Sequence, residues 1–293
     1  DPEMSRGLGD VYKRQEEAIK KQEYMNCMSK PYRSSTLDDE FNAAFEGLKK
    51  SGVAIYFKDI NNDYVWNMNS TKIYYSASTS KLFEVIYLVE EARKGNIDLN
   101  STLVYKPSDA MQGSIGMKKH KYYDEVTLSE LIGHLLTYSD NTAHFMLIKY
   151  IGLDTLKEYF SDFNLVMVSE DPFVRNYTAL MASKCLERLY SVLEVDDDYG
   201  ALIKKAMNNK NMNYLSFDDK VIYHKYGMYD ASFHDIGIYD SDNPYIIVVL
   251  TLYGNLGQDV FGPKVQNISK KVYEIYSKNL ELKDEYCQSN VSK

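Results

Sequence analysis

No stretch of this chain is apolar for the length a bilayer demands. A membrane-spanning helix needs about 20 predominantly apolar residues, and the best candidate, the run from Tyr245 to Gly254, falls well short and reads as a strand. Basic charge is not in surplus either. Lys and Arg number 34 against 42 Asp and Glu, a net charge of −8, which argues against nucleic acid or an anionic membrane as a partner. Cysteine is scarce: Cys27, Cys185 and Cys287 make no disulfide framework, contain no Cys-x-x-Cys, and read as buried or incidental thiols. His120, His134 and His144 show no metal-ligand spacing with acidic or thiol partners, so neither a metal nor a cofactor is expected. Internal repeats and low-complexity tracts are also lacking. What remains, 44% hydrophobic and 26% charged residues in a chain of 293, is ordinary for one large globular unit or two closely joined subdomains.

Periodicity divides the chain into three. Asp10 to Gln15 reads as the translation of a sequencing-adapter end, so residues 1–15 are expected to be an assembly artefact, with any leader or anchor lost alongside the true start. Residues 16–36 are polar without a sustained period and read as linker or frayed helix. Leu37, Phe41, Ala44, Phe45 and Leu48 mark one face of a helix, and the segment from Val53 to Met68 reads as two strands about the turn Asn61-Asn62-Asp63. From Tyr74 to about Asn211 the pattern is helical, with Thr127 and Glu130 spaced as a capping box. Period-two and continuous apolar runs return from Val221 to Leu252, and a closing helix precedes a polar tail. Strands at both ends around a helical block predict an α+β fold. We expect an antiparallel sheet of about five strands drawn from both chain ends and flanked by helices (37–70 plus 212–282), an inserted all-helical subdomain (71–211), and a tail (283–293).

Chemistry concentrates at three places. Ser78 and Lys81 are three apart, so in a helix their side chains share one face and the amine reaches toward the hydroxyl. This is the only Ser-x-x-Lys in the chain. Ser139-Asp140-Asn141 follows between two apolar helical segments, and Lys225-Tyr226-Gly227 ends the apolar run that starts at Val221. A second Ser-Asp-Asn, at Ser241 to Asn243, lies in a hairpin turn, so context selects Ser139. Taken together and in this order, the three elements resemble those of class A β-lactamases and penicillin-binding serine acyl-transferases, specifically the β-lactamase-like serine hydrolase branch. The resemblance extends from about Leu37 to the last helix.

The resemblance implies roles for residues of this chain. Ser78 would be the nucleophile that forms an ester intermediate, Lys81 its base, and Ser139 the relay that protonates the departing nitrogen. Asn141 would grip a substrate amide, and Lys225 with Ser139 would bind a substrate carboxylate. Gly227 would leave the strand edge open, and the backbone N–H groups of Ser78 and Met228 would form the oxyanion hole. Asp140 would point into the helical part to hold the bend. Four departures stand out. Tyr226 replaces the usual Thr or Ser and adds bulk. No arginine follows Arg188, so the additional carboxylate-binding arginine of many members is missing, and His224 and His234 nearby are expected to be structural. The Glu-x-x-Leu-Asn pattern that activates the deacylating water is absent between Asn141 and Tyr177, with only Glu170 and Asp171 as substitutes. The connection that would carry it is also short.

These readings predict a serine hydrolase that forms an acyl-enzyme with a β-lactam or an acyl-D-amino-acid type amide and deacylates slowly. The rivals are a D-Ala-D-Ala-type peptidase, an esterase, or a non-catalytic cell-envelope binding module. The expected partner is a small β-lactam or a peptidoglycan-like peptide, with no nucleic acid and no membrane contact beyond a lost anchor. A monomer outside the cytoplasm is expected.

Overall fold

The computed structural model describes residues 2–163, 175–210 and 212–291. Helix α1 (Pro2–Met28) and helix α2 (Leu37–Phe45) precede the hairpin β1 (Ala54–Asp59) and β2 (Val65–Met68). Strand β3 (Tyr74–Tyr75) leads through a 3-10 turn, Ala77–Lys81, into α3 (Leu82–Arg93). Strands β4 (Thr102–Val104) and β5 (Glu125–Thr127) come next, then α4 (Leu128–Tyr138), α5 (Asn141–Ile151) and α6 (Leu153–Ser161). Strand β6 (Asn176–Tyr177), α7 (Ala179–Leu193) and α8 (Asp198–Met207) complete the middle block. The chain closes with β7 (Ile222–Tyr229), β8 (Ser232–Tyr239), β9 (Tyr245–Thr251) and the long α9 (Gln258–Val291).

The expected sheet is present: five antiparallel strands in the order β2-β1-β9-β8-β7, so the N-terminal hairpin pairs with the last strand, Phe57 opposite Ile247. Alternation along the strands sorts side chains onto two cores. Tyr56, Ile236, Ile238, Ile246, Val248 and Leu250 face the helical block, while Ile55, Phe57, Phe233, Tyr245, Ile247 and Val249 face α2 and α9. Phe57 is fully buried among aromatic rings, 5.3 Å from Phe41 and from Tyr245 and 5.1 Å from Tyr276. Burial on both faces is why β9 reads as an unbroken apolar run rather than an alternating one. Because β7 is an outer strand, its far edge is open toward the helical block.

The structure departs from expectation at the ends and in the middle. The helical block carries two short ladders, β3 with β6 and β4 with β5, each only two or three residues long and so below the length at which period two is legible. Residues 16–28, expected as linker or frayed helix, are the continuation of α1, no break marks Gln15, and the expected tail is the last part of α9. Cys27 and Cys287 are not incidental thiols: they form a disulfide with a Cα separation of 5.6 Å. Its partners lie 260 residues apart, so only the antiparallel meeting of the two terminal helices reveals the pairing. The Tyr32 and Tyr286 rings, 5.5 Å apart, add apolar contact beside it. Cys185 is a free, buried thiol, as expected. Titration of the denatured but unreduced protein with a thiol reagent will therefore find one reactive thiol per chain. Three thiols before any reductant is added would overturn the disulfide.

Candidate active site

Ser78 sits half-buried in the 3-10 turn Ala77–Lys81, ahead of the apolar helix α3. Several bonds fix that turn. The Thr79 hydroxyl donates to Ser76 O at 2.6 Å and also meets the Tyr177 hydroxyl, and Ser76 N donates to Arg175 O at 2.8 Å. His234, on β8, accepts from Thr251 N at Nδ1 (3.1 Å) and donates from Nε2 to Tyr75 O at 2.7 Å, tying the strand before Ser78 to the sheet. Burial lowers His234 to about 4, so it is the neutral ring that this bonding pattern needs. Ala77 holds a left-handed φ of +46°, a conformation that burdens a residue with a Cβ and that clusters at functional sites.

The bend Ser139–Asn141 joins α4 to α5. Thr127 begins α4 with the expected capping box, its hydroxyl accepting from Glu130 N and its own N–H donating to Glu130 Oε2, both at 3.1 Å. Ser139 ends α4 at φ +55°, and Asp140 then caps α5 by accepting from Ala143 N at 3.0 Å. The other Asp140 oxygen accepts from Ile115 N (2.8 Å) and Met117 N (3.0 Å), strapping a crossing loop to the bend. Thr142 reinforces the strap through Ser114 Oγ at 2.6 Å and Met111 N at 2.9 Å. Glycine is the inexpensive residue for a left-handed cap. A serine stands there, and its hydroxyl is in use.

Two buried amines converge on that serine. Lys81 Nζ donates to Ser139 O at 2.7 Å and to Asn141 Oδ1 at 2.6 Å. Lys225 Nζ, from the open edge of β7, donates to Ser139 Oγ at 2.9 Å and to Tyr226 O at 2.8 Å. Burial lowers Lys81 to about 7, against the opposing pull of Asp140 and Glu84. Lys225 is pushed well below the usual lysine range by burial and then by the charge of Lys81. Gly227 brings β7 against the turn that carries Ser78: a Cβ there would lie 2.7 Å from Ser78 N and 2.8 Å from Thr79 N, so no other residue fits without displacing backbone. Met228 follows, with its side chain exposed.

Of the residues singled out in the sequence, Lys81, Ser139, Asn141, Lys225 and Tyr226 are thus joined by hydrogen bonds and ring contact, and Gly227 lies against the backbone of Ser78, where the sheet meets the helical block. Asn141 is more engaged than expected. Its Nδ2 donates to Gln112 O at 2.7 Å while its oxygen holds Lys81. Glu170 and Asp171 lie outside the described residues. His224 pairs with Asp235 at 2.9 Å on the buried face of β7.

A cluster beneath the cleft was not anticipated. Glu84, fully buried one turn after Lys81, pairs with the Arg175 guanidinium and bonds His144 Nε2 at 3.2 Å. Burial alone would raise the Glu84 carboxyl, but Arg175 and His144 outweigh it and hold the group at about 2. Arg175 also donates to Ser80 O at 3.3 Å, so it ties the start of β6 to the turn that carries Ser78. The signal was available. Glu84 is the only charged residue between Lys81 and Glu90, and a lone carboxylate in an apolar helix asks for a buried partner.

The fold defined here, an antiparallel sheet beside a helical block with serine and lysine side chains in the cleft, is that of the serine β-lactamases and penicillin-binding proteins. The profile described as "Beta-lactamase enzyme family" matches residues 36–276, and the chain belongs to that family. Solved structures agree on the fold. One is PBP-A, as a mutant in an acyl-enzyme complex with penicillin G, at 18% identity and TM-score 0.70 over 85% of this chain and 99% of that one. Another is the TLA-3 extended-spectrum β-lactamase, at 20% identity and TM-score 0.71 over 83% of this chain and 98% of that one. A third is a β-lactamase from Sphaerobacter thermophilus, at 16% identity and TM-score 0.67 over 82% and 96%. Among curated proteins none matches the chain by sequence.

The buried cluster gives a stability prediction. Glu84→Gln removes the anion and leaves the Arg175 charge buried without a counterion, so we expect a loss of about 3–5 kcal/mol in urea unfolding at neutral pH. Because the carboxyl is depressed from 4.5 to about 2, the pair's contribution is complete above pH 4.5 and is lost as pH falls toward 2. An unchanged midpoint at pH 7 would show that the pair does not form.

Proposed function

We propose that this protein is a serine acyl-transferring hydrolase in which Ser78 attacks the carbonyl of a β-lactam or of an acyl-D-amino-acid type amide. The observation that carries the reading is the engagement of Ser139 by both buried amines, Lys81 on its carbonyl and Lys225 on its hydroxyl. A neutral lysine has two N–H groups and one lone pair. Lys81 spends two hydrogens on Ser139 O and Asn141 Oδ1, which leaves the lone pair for the Ser78 proton. As that proton moves to Lys81, the Ser78 Oγ bonds to the substrate carbonyl carbon, and the oxyanion is met by the N–H groups of Ser78 and Met228. Ser139 Oγ already accepts from Lys225, so its own hydrogen is free for the departing nitrogen as the C–N bond breaks. The Ser139 oxygen regains a proton from the lysines, and an ester on Ser78 remains.

The acyl-enzyme is proposed to be long-lived, because the Glu-x-x-Leu-Asn pattern is missing from the sequence. Glu84 does not replace it: that carboxylate is fully buried, committed to Arg175, and held far below the range of a useful base. A location outside the cytoplasm is supported by the disulfide Cys27–Cys287, which persists in oxidising compartments. Among the described residues no helix is long and apolar enough to cross a membrane.

Intact-protein mass after incubation with benzylpenicillin tests the chemistry. The expected outcome is a lasting adduct on Ser78 that is absent from Ser78→Ala. No adduct overturns the acylation reading, and rapid turnover of penicillin overturns the slow deacylation. A binding module would keep equal affinity in Ser78→Ala and yield no adduct, whereas a peptidase or esterase would release product from acyl-D-Ala-D-Ala or ester substrates. The pH dependence is a second test. Lys81 must be neutral to take the proton, so with its pKa at about 7 the rate of adduct formation should be flat above pH 7 and fall roughly tenfold per pH unit below it. A rate that rises as pH falls would exclude Lys81 as the base.

A further inference from the structure

Lys225 has no solvent-exposed surface, although the resemblance to penicillin-binding proteins assigns it to a substrate carboxylate. The cause is its neighbour. The Tyr226 ring lies over the Lys225 amine, 4.4 Å from Nζ to the ring centroid, and its hydroxyl donates to Tyr138 O at 3.4 Å, spanning from β7 to the helix that carries Ser139. The His224 ring stacks beside Tyr226, with centroids 6.4 Å apart, and His224 is itself fixed by Asp235. Lys225 Nζ directs hydrogens to Ser139 Oγ and Tyr226 O, and its remaining approach is covered by the ring. A threonine or serine at position 226 would leave the amine open and supply a hydroxyl. Tyrosine supplies neither, and no other cation compensates among the described residues at the cleft. Arg175 is 1% exposed and paired with Glu84.

We infer that Tyr226 closes the carboxylate subsite, and that the preferred acyl donors of this cleft are amides or esters whose leaving group carries no carboxylate beside the scissile bond. This rests on the acylation of Ser78 proposed above. A carboxylate would have to displace the ring from Lys225 and desolvate itself against it, whereas a neutral or aromatic group packs on the ring as it stands. Lys225 is thereby left to hold the Ser139 hydroxyl, and Tyr226 acts as a specificity-determining residue.

Benzylpenicillin and its methyl ester differ only in that carboxylate, so they form the test pair. Rates of Ser78 acylation by the two are followed by intact-protein mass in the unaltered protein and in Tyr226→Thr. We expect the ester to acylate the unaltered protein at least about tenfold faster than the acid, and Tyr226→Thr to erase or reverse that ratio. Equal rates in the unaltered protein, or a ratio untouched by Tyr226→Thr, overturn the inference. If neither compound labels Ser78, the acylation reading fails, and calorimetric binding of the same pair to Ser78→Ala still decides the subsite. Tighter binding of the ester by about tenfold supports closure, and equal or tighter binding of the acid overturns it.

Discussion

The cleft depends on keeping two lysine amines out of water within reach of one serine. Desolvation alone makes a buried ammonium costly, and a second one nearby adds repulsion. The chain meets this constraint in two ways. Anions surround the pair without touching either amine, with Asp140 and Glu84 acting on Lys81 and Asp235 on Lys225. Both amines also donate to oxygen atoms that the backbone holds rigidly, above all the carbonyl and hydroxyl of Ser139. The result is that burial pushes Lys225 well below the usual lysine range and brings Lys81 to about 7.

Much of the surrounding architecture reads as a consequence. Ser139 must offer its carbonyl to one amine and its hydroxyl to the other, which requires the chain to reverse there. The left-handed backbone that does so costs roughly 1–2 kcal/mol for a non-glycine residue and is stabilised by Asp140, whose three accepted N–H bonds fix the bend from both sides. Lys225 must arrive from the opposite wall, so β7 has to lie at the sheet edge, and Gly227 has to let that edge approach the Ser78 turn. Ala77 absorbs the remaining conformational misfit.

The sequence disclosed those parts whose spacing is local. A serine and lysine one turn apart, a capping box at Thr127, and alternating strands near both ends each leave a pattern within a few residues, and the fold class follows from their order. Tyr226 was visible as an oddity, but its placement over Lys225 was not, because only the turn of a side chain around a strand edge brings it there. The disulfide and the Glu84, Arg175 and His144 cluster escaped for the same reason. Their partners are separated by 260, 91 and 60 positions, and local periodicity says nothing of such distances. The closing helix was legible, but the full length of α1 was not, because α1 is too polar to show an apolar stripe.

That buried cluster has a structural task at the Ser78 turn. A buried ion pair is weak support for stability, since an apolar replacement of equal volume often serves as well. What it does provide is a fixed position. Arg175 joins Glu84 on α3, the Ser80 carbonyl in the Ser78 turn, and, through its own carbonyl, Ser76 N before it. The segment entering β6 is therefore fastened to the same turn that presents Ser78. The charged residues invested here hold the turn that carries Ser78, and the carboxylate nearest Lys81 in sequence is committed to Arg175.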